Sequence, residues 1–97
     1  MAAKAKSPVP ARLKQARARM GLSQKQVGIL AGMDPFVASA RVNQYERGRH
    51  DPHFLIVARI AKVLHVPAAY LYADDDDLAE CILRFSLRQR RRRRSKA

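Results

Sequence analysis

Apolar residues return every three or four positions along most of this chain, and Gly, Pro, Ser or Asp stand between those stretches where helices stop and start. Leu13, Ala16, Arg17 and Met20 share one face of a first helix beginning at Pro10, which Gly21 can end in a left-handed cap. Ser23 followed by Gln26 forms a capping box that opens a second helix over residues 24–31. Gly32 suits a turn needing positive φ, Asp34 offers a carboxylate to free N–H groups, and Pro35 fits a first helical position. A third helix is therefore predicted over residues 35–46, ended by Gly48. Asp51-Pro52 repeats the start signal for a fourth, whose apolar face is Phe54, Val57, Ile60, Ala61 and Leu64. Pro67 opens a short fifth helix over residues 68–72. Asp77 with Glu80 can cap a sixth, with Leu78, Ile82 and Phe85 on one face and Leu83 and Leu87 on a neighbouring one. No strand pattern and no internal repeat interrupts this series. The expected fold class is all-α, a compact five-helix domain with an additional C-terminal sixth helix.

Charge changes the picture. The 97 residues hold 20 Lys and Arg against 8 Asp and Glu, a net charge of +12 that points toward phosphate-rich partners or anionic lipid. Seven of those cations lie between residues 88 and 96, yet the thirteen that remain still outnumber the eight acids. The predicted organisation is a flexible basic arm over residues 1–9, the main domain over 10–73, an acidic linker with a helix over 74–87, and an arginine-rich tail over 88–97. Cys81 is the single cysteine, expected to be a small buried hydrophobe, so no internal disulfide is possible. No apolar run approaches eighteen residues and no signal segment follows Lys4 and Lys6, so the expectation is a cytoplasmic protein without a membrane partner.

The stretch from Gly21 to Gly48 carries the chemistry. Two short helices hinged at Gly32-Met33-Asp34 have the spacing of a DNA-binding helix-turn-helix, in which the second helix enters the major groove. Small residues are needed where the helices cross, and Gly28 and Ala31 are expected to face Ala38. Val27, Met33, Ala38, Val42 and Tyr45 form the expected buried set. Phasing back from Tyr45 buries Val42 rather than Arg41, as the cost of an unpaired buried guanidinium requires. Phe36, Ser39, Ala40, Asn43 and Gln44 are then left outward as base contacts. The carboxamides of Asn43 and Gln44 match N6 and N7 of adenine, and Ala40 or Phe36 suits a thymine methyl. Gln24, Lys25, Arg41, Arg47 and Arg49 are the candidate phosphate contacts, and Arg90, Arg91, Arg92, Arg93 and Arg94 an auxiliary, sequence-blind anchor.

From Leu13 to Leu71 the chain resembles the phage-repressor family of helix-turn-helix proteins, Cro-like and XRE-type. The resemblance rests on Leu22-Ser23-Gln24, Ala31-Gly32, Tyr45-Glu46-Arg47-Gly48, Pro52, Ile60-Ala61-Lys62, and Leu64 with Val66. It implies a five-helix fold and dimeric, sequence-specific binding of double-stranded DNA by the third helix, without catalysis or cofactor. One departure is visible: about one extra helical turn separates Ala31-Gly32 from Glu46-Arg47-Gly48.

Other readings of single features are weaker. His50-Asp51-Pro52-His53 lacks a third metal ligand nearby, and Asp74 to Asp77 lacks the spacing of a calcium loop. His65 is expected at the end of the fourth helix, its ring serving free carbonyls. Glu46 and Arg47 are read as a structural ion pair, with Arg17 as a further member, or as DNA contacts. The acidic run is also able to fold against the arginine tail and compete with DNA.

The expected function is that of a transcriptional regulator, a repressor, acting as a homodimer on an inverted repeat in a bacterial or phage nucleoid. The sixth helix, over residues 78–87, with Leu55 and Ile56 supplies the dimer contacts or a protein partner's site. The alternatives are an antitoxin-type interaction module and a non-specific basic nucleic-acid-binding protein. No nucleophile paired with a base is legible, so no enzyme is expected and no metal or cofactor is called for.

Overall fold

The computed structural model describes residues 6–95, and the first residues of the basic arm, with Lys96 and Ala97, lie outside them. Six helices follow in order: α1 Val9–Met20, α2 Gln24–Leu30, α3 Ala38–Glu46, α4 Phe54–Val63, α5 Ala68–Leu71 and α6 Asp76–Ser95. The fold is all-helical. Val9 is already helical and buried, so the predicted arm boundary at residue 9 falls inside α1.

Local chemistry sets the first boundaries. The Ser7 hydroxyl accepts from the Val9 N–H at 3.2 Å, and Gly21, at φ 68°, ends α1. The capping box is complete: Ser23 Oγ accepts from the Gln26 N–H at 3.0 Å while Gln26 Oε1 accepts from the Ser23 N–H at 2.8 Å. Asp34 does cap, its Oδ1 accepting from the Phe36 N–H at 2.8 Å. The helix predicted from Pro35 nonetheless begins only at Ala38. The Asp34 carbonyl takes both the Val37 and Ala38 N–H groups at 3.0 Å, and Val37 sits at φ −114°. Residues 35–37 thus make a separate turn, and the extra length relative to the family is turn, not helix.

Leu13, Ala16, Val27, Val42, Tyr45, Val57, Ile60, Leu64, Tyr70 and Leu71 form the core, with Met33 partly buried against it. Gly28 meets Ala38 at the α2–α3 crossing, where an added Cβ would stand 2.6 Å from Ala38 Cβ. α4 starts at Phe54, where the His53 carbonyl accepts from the Ile56 N–H at 2.9 Å and the Val57 N–H at 3.0 Å, and no side chain, that of Asp51 included, caps this end. Phe54 projects outward and its ring stacks on Tyr72 with centroids 6.4 Å apart, contrary to the expected apolar face. At the α4 exit, His65 occupies the left-handed region at φ 57°. The Val66 N–H reaches the Ala61 carbonyl and the His65 N–H the Lys62 carbonyl, a Schellman closure that uses backbone donors. The exposed His65 ring is therefore not what satisfies those carbonyls.

α6 departs most from expectation. Asp75, not Asp77, caps it, with Oδ1 accepting from the Leu78 N–H at 2.9 Å. Its inward face is Ala79, Ile82 and Leu83, while Leu78, Phe85 and Leu87 are exposed, as is Cys81. The helix runs on through Arg94, so the boundary expected at residue 87 is absent. Arg12 ties the two ends of the fold together. Its Nε donates to the Ala73 carbonyl at 3.0 Å and its Nη2 pairs with Asp76 at 2.9 Å. Asp76 thus serves α1, not the arginine run.

Candidate nucleic-acid interface

The second helix of the motif is held by a polar network that begins in α1. Arg17 grips the Glu46 carboxylate at both oxygens, Nε to Oε2 at 2.6 Å and Nη2 to Oε1 at 3.0 Å, while its Nη1 donates to the Leu22 carbonyl at 3.0 Å. The Glu46 side chain is 4% exposed and that of Arg17 18%, so the pair is largely shielded from water. The charge-assisted hydrogen bond to Glu46 raises the Arg17 pKa, burial opposes that, and attraction to the Glu46 charge adds to it. Arg17 contributes stability below the ordinary arginine value that is lost only above the still higher folded value, so it stays charged throughout the neutral range. The ion pair anticipated between Glu46 and Arg47 belongs instead to Arg17, and Arg47 is exposed.

Gln24, first residue of α2, extends this network. Its Nε2 donates at 3.2 Å to both Asn43 Oδ1 and Glu46 Oε1. Both amide hydrogens are thereby used inside the molecule, so the Gln24 side chain is a link between helices rather than a phosphate donor. The same bond orients Asn43, which keeps its own amide donors and one lone pair. Gln44 makes no hydrogen bond with its side chain among the described residues and keeps a full donor and acceptor set.

Ser39 and Ala40 are exposed and Asn43 and Gln44 half-buried, so these four line the outer side of α3, while Ala38 and Val42 are fully buried. The expected helical phase is the observed one. Phe36 is the exception: it lies in the turn before α3, 98% exposed, and does not belong to the helical ridge. Lys25, Arg41 and Arg49 are exposed, and Arg41 lines an open depression with Gln44, Tyr45, His50, Asp51 and His53. No group of three metal-ligating side chains occurs among the described residues.

The arginine run is placed differently from the expectation of a tail. α3 packs on α1 and α2, whereas α6 packs against α5. Within the run Arg90 is half-buried and lines a groove with Lys62, His65 and Arg93, Arg94 joins Arg90 and Arg93 around His65, and Arg88, Arg92, Arg93 and Arg94 are all exposed. Leu55 stays exposed beside these elements, but Ile56 is half-buried against the core. No described helix is long and apolar enough to cross a membrane.

Comparison with known proteins agrees with this geometry. The family model of the helix-turn-helix domain matches residues 11–71. Among solved structures, the crystal structure of transcriptional regulator BswR is similar at 58% identity and a TM-score of 0.77, covering 80% of this chain and 77% of that one. No curated protein sequence matches.

Proposed function

We propose that this chain, which belongs to the helix-turn-helix domain family, is a sequence-specific transcriptional regulator that reads the major groove of duplex DNA with α3. The observation that carries the reading is the outward ridge Ser39, Ala40, Asn43 and Gln44, mounted on a buried seam and oriented through Gln24, Glu46 and Arg17. Base-edge contacts read sequence directly, and a carboxamide offers the acceptor and donor that match the N6 donor and N7 acceptor of adenine. Gln44 is the residue best placed for a bidentate contact, with Asn43 as a held donor beside it. The similarity to a transcriptional regulator supports a role in gene control, and repression of the bound promoter is the form we favour.

Lys25, Arg41, Arg47 and Arg49 are assigned to the phosphates on either side of the ridge. Arg92, Arg93 and Arg94 add a second, sequence-blind anchor through their exposed side chains, while the half-buried Arg90 lies in the groove beside His65. The chain acts as a homodimer, whose twofold axis makes its site an inverted repeat with half-sites about one helical turn, ~34 Å, apart. Selection of preferred sites from a random duplex library tests the reading. An enriched palindrome preferred over random duplex by about a thousandfold or more is expected. Uniform affinity across the library would instead assign the protein to non-specific packaging.

A further inference from the structure

The outer face of α6 is a stripe with three chemically distinct segments. Leu78, Cys81, Phe85, Arg88 and Arg92 follow at intervals of three, four, three and four, the spacing of a coiled-coil seam, and all five are exposed. Leu78 is 49% and Phe85 57% exposed, although the opposite side of the same helix supplies Ala79, Ile82 and Leu83 to the core. At the N-terminal end of the stripe stands Asp77, and at the C-terminal end Arg88 and Arg92. The neighbouring acids have other tasks: Asp75 caps Leu78 and Asp76 pairs with Arg12. Asp77, Arg88 and Arg92 have no ion-pair partner among the described residues.

We infer that α6 is a self-complementary surface that pairs antiparallel with α6 of a second copy of this chain. The charges select both occupant and direction. Parallel pairing would stack Asp77 on Asp77 and each arginine on its own counterpart, which like-charge repulsion opposes. Antiparallel pairing lays Leu78 across from Arg88 of the second copy, Cys81 across from Phe85, and Asp77 within about one residue's rise, ~1.5 Å, of the Arg88 level. The aliphatic stem of Arg88 then covers Leu78 while its guanidinium meets Asp77. One helix provides both halves of this match, so no other partner is needed to complete it. The stripe also makes use of apolar surface that a helix facing only water would not otherwise expose. This specifies the dimer of the reading above and rests on that reading only for dimerisation, not for DNA recognition.

Two measurements on the full chain test it. Sedimentation equilibrium is expected to show a dimer, and Leu78→Glu with Phe85→Glu to raise its dissociation constant by about a hundredfold or more, with the far-UV helical signal retained. Direction is read by mixing two proteins that both carry Cys81→Ser, one with Asp77→Cys and the other with Arg88→Cys, and adding a short bismaleimide. Cross-linking of the mixture, but of neither protein alone, supports antiparallel pairing, because like positions then lie about 15 Å or more apart along the axis. Efficient cross-linking of either protein alone, or a wild-type chain that stays monomeric at micromolar concentration, overturns the inference. Neither result touches the α3 ridge, whose failure would appear instead as flat library selection.

Discussion

Gly28→Ala is the substitution whose consequence the structure sets most directly. Inside α2 the change should help, because alanine exceeds glycine in helix propensity by about 1 kcal/mol. The new methyl would, however, stand 2.6 Å from Ala38 Cβ, 2.9 Å from Ala38 Cα and 3.0 Å from the Ala38 carbonyl oxygen. Two of those atoms are backbone, so no rotamer change relieves the contact. Restoring ordinary separation requires α3 to move by roughly 1 Å or α2 to tilt, and overpacking of this kind costs about 1–3 kcal/mol. With a rigid backbone neighbour the upper part of that range applies, which leaves a net loss of about 1–2 kcal/mol after the propensity gain. Thermal denaturation should show a melting temperature lower by about 4–16 °C for a domain of this size. Operator affinity should fall as well, since the displaced element carries the ridge. Gly21→Ala is the control: it imposes the left-handed φ of 68° on alanine with nothing within 4 Å, and should cost stability without altering DNA affinity. A Gly28→Ala protein as stable as the parent, binding its site normally, would refute the close-approach argument.

Other outcomes follow from the network and the charges. Glu46→Gln leaves the Arg17 guanidinium shielded without a counter-charge and should lower unfolding free energy by about 2–4 kcal/mol in urea titration, discounted for the partial exposure of Arg17. Because the raised Arg17 pKa lies above the accessible range, this pair should add no change in melting temperature to the parent between neutral pH and about pH 10. Asn43→Ala combined with Gln44→Ala should flatten sequence preference in competition binding while leaving non-specific affinity largely intact, and loss of both alike would reassign these residues to phosphate binding. Truncation after Leu87 should weaken binding to all duplexes and reduce the salt slope by up to ~6, or nearer ~4.5 if Arg88 and Arg90 do not reach phosphate.

The helix-turn-helix was legible because its signals are local. Ser23 and Gln26 are three residues apart, Gly21 and Gly32 adopt the positive φ their positions suggested, and Tyr45 fixed the phase that buries Val42 and exposes Arg41. What escaped the sequence depended on distant partners. Arg12 reads as one more surface cation on α1, yet it is 8% exposed because the Ala73 carbonyl, 61 residues away, and Asp76 receive it. Arg17 and Glu46, 29 residues apart, were legible only as loosely associated charges. The start of α3 was misjudged for a different reason. Asp34-Pro35 carries every local start signal, but a single turn satisfies them, and the helix proper begins where Ala38 can press on Gly28.

α6 shows the same division within one element. Its helical character was legible from the acids at its start, and the arginines of its last turn suit the negative end of the helix macrodipole, which favours a helix continuing past Leu87. Its facing was not, because Leu78, Ala79, Cys81, Ile82, Leu83, Phe85 and Leu87 offer apolar surface almost all round. The small side chain of Ala79, 2% exposed, allows close approach to the body, and Ile82 and Leu83 follow it inward. That choice turns Cys81 outward despite its apolar neighbours, and it places Leu78 and Phe85 on the solvent side with Arg88 and Arg92. Burial in a helix is thus decided by which stripe the rest of the core can accept, and the rejected stripe is what remains for a partner.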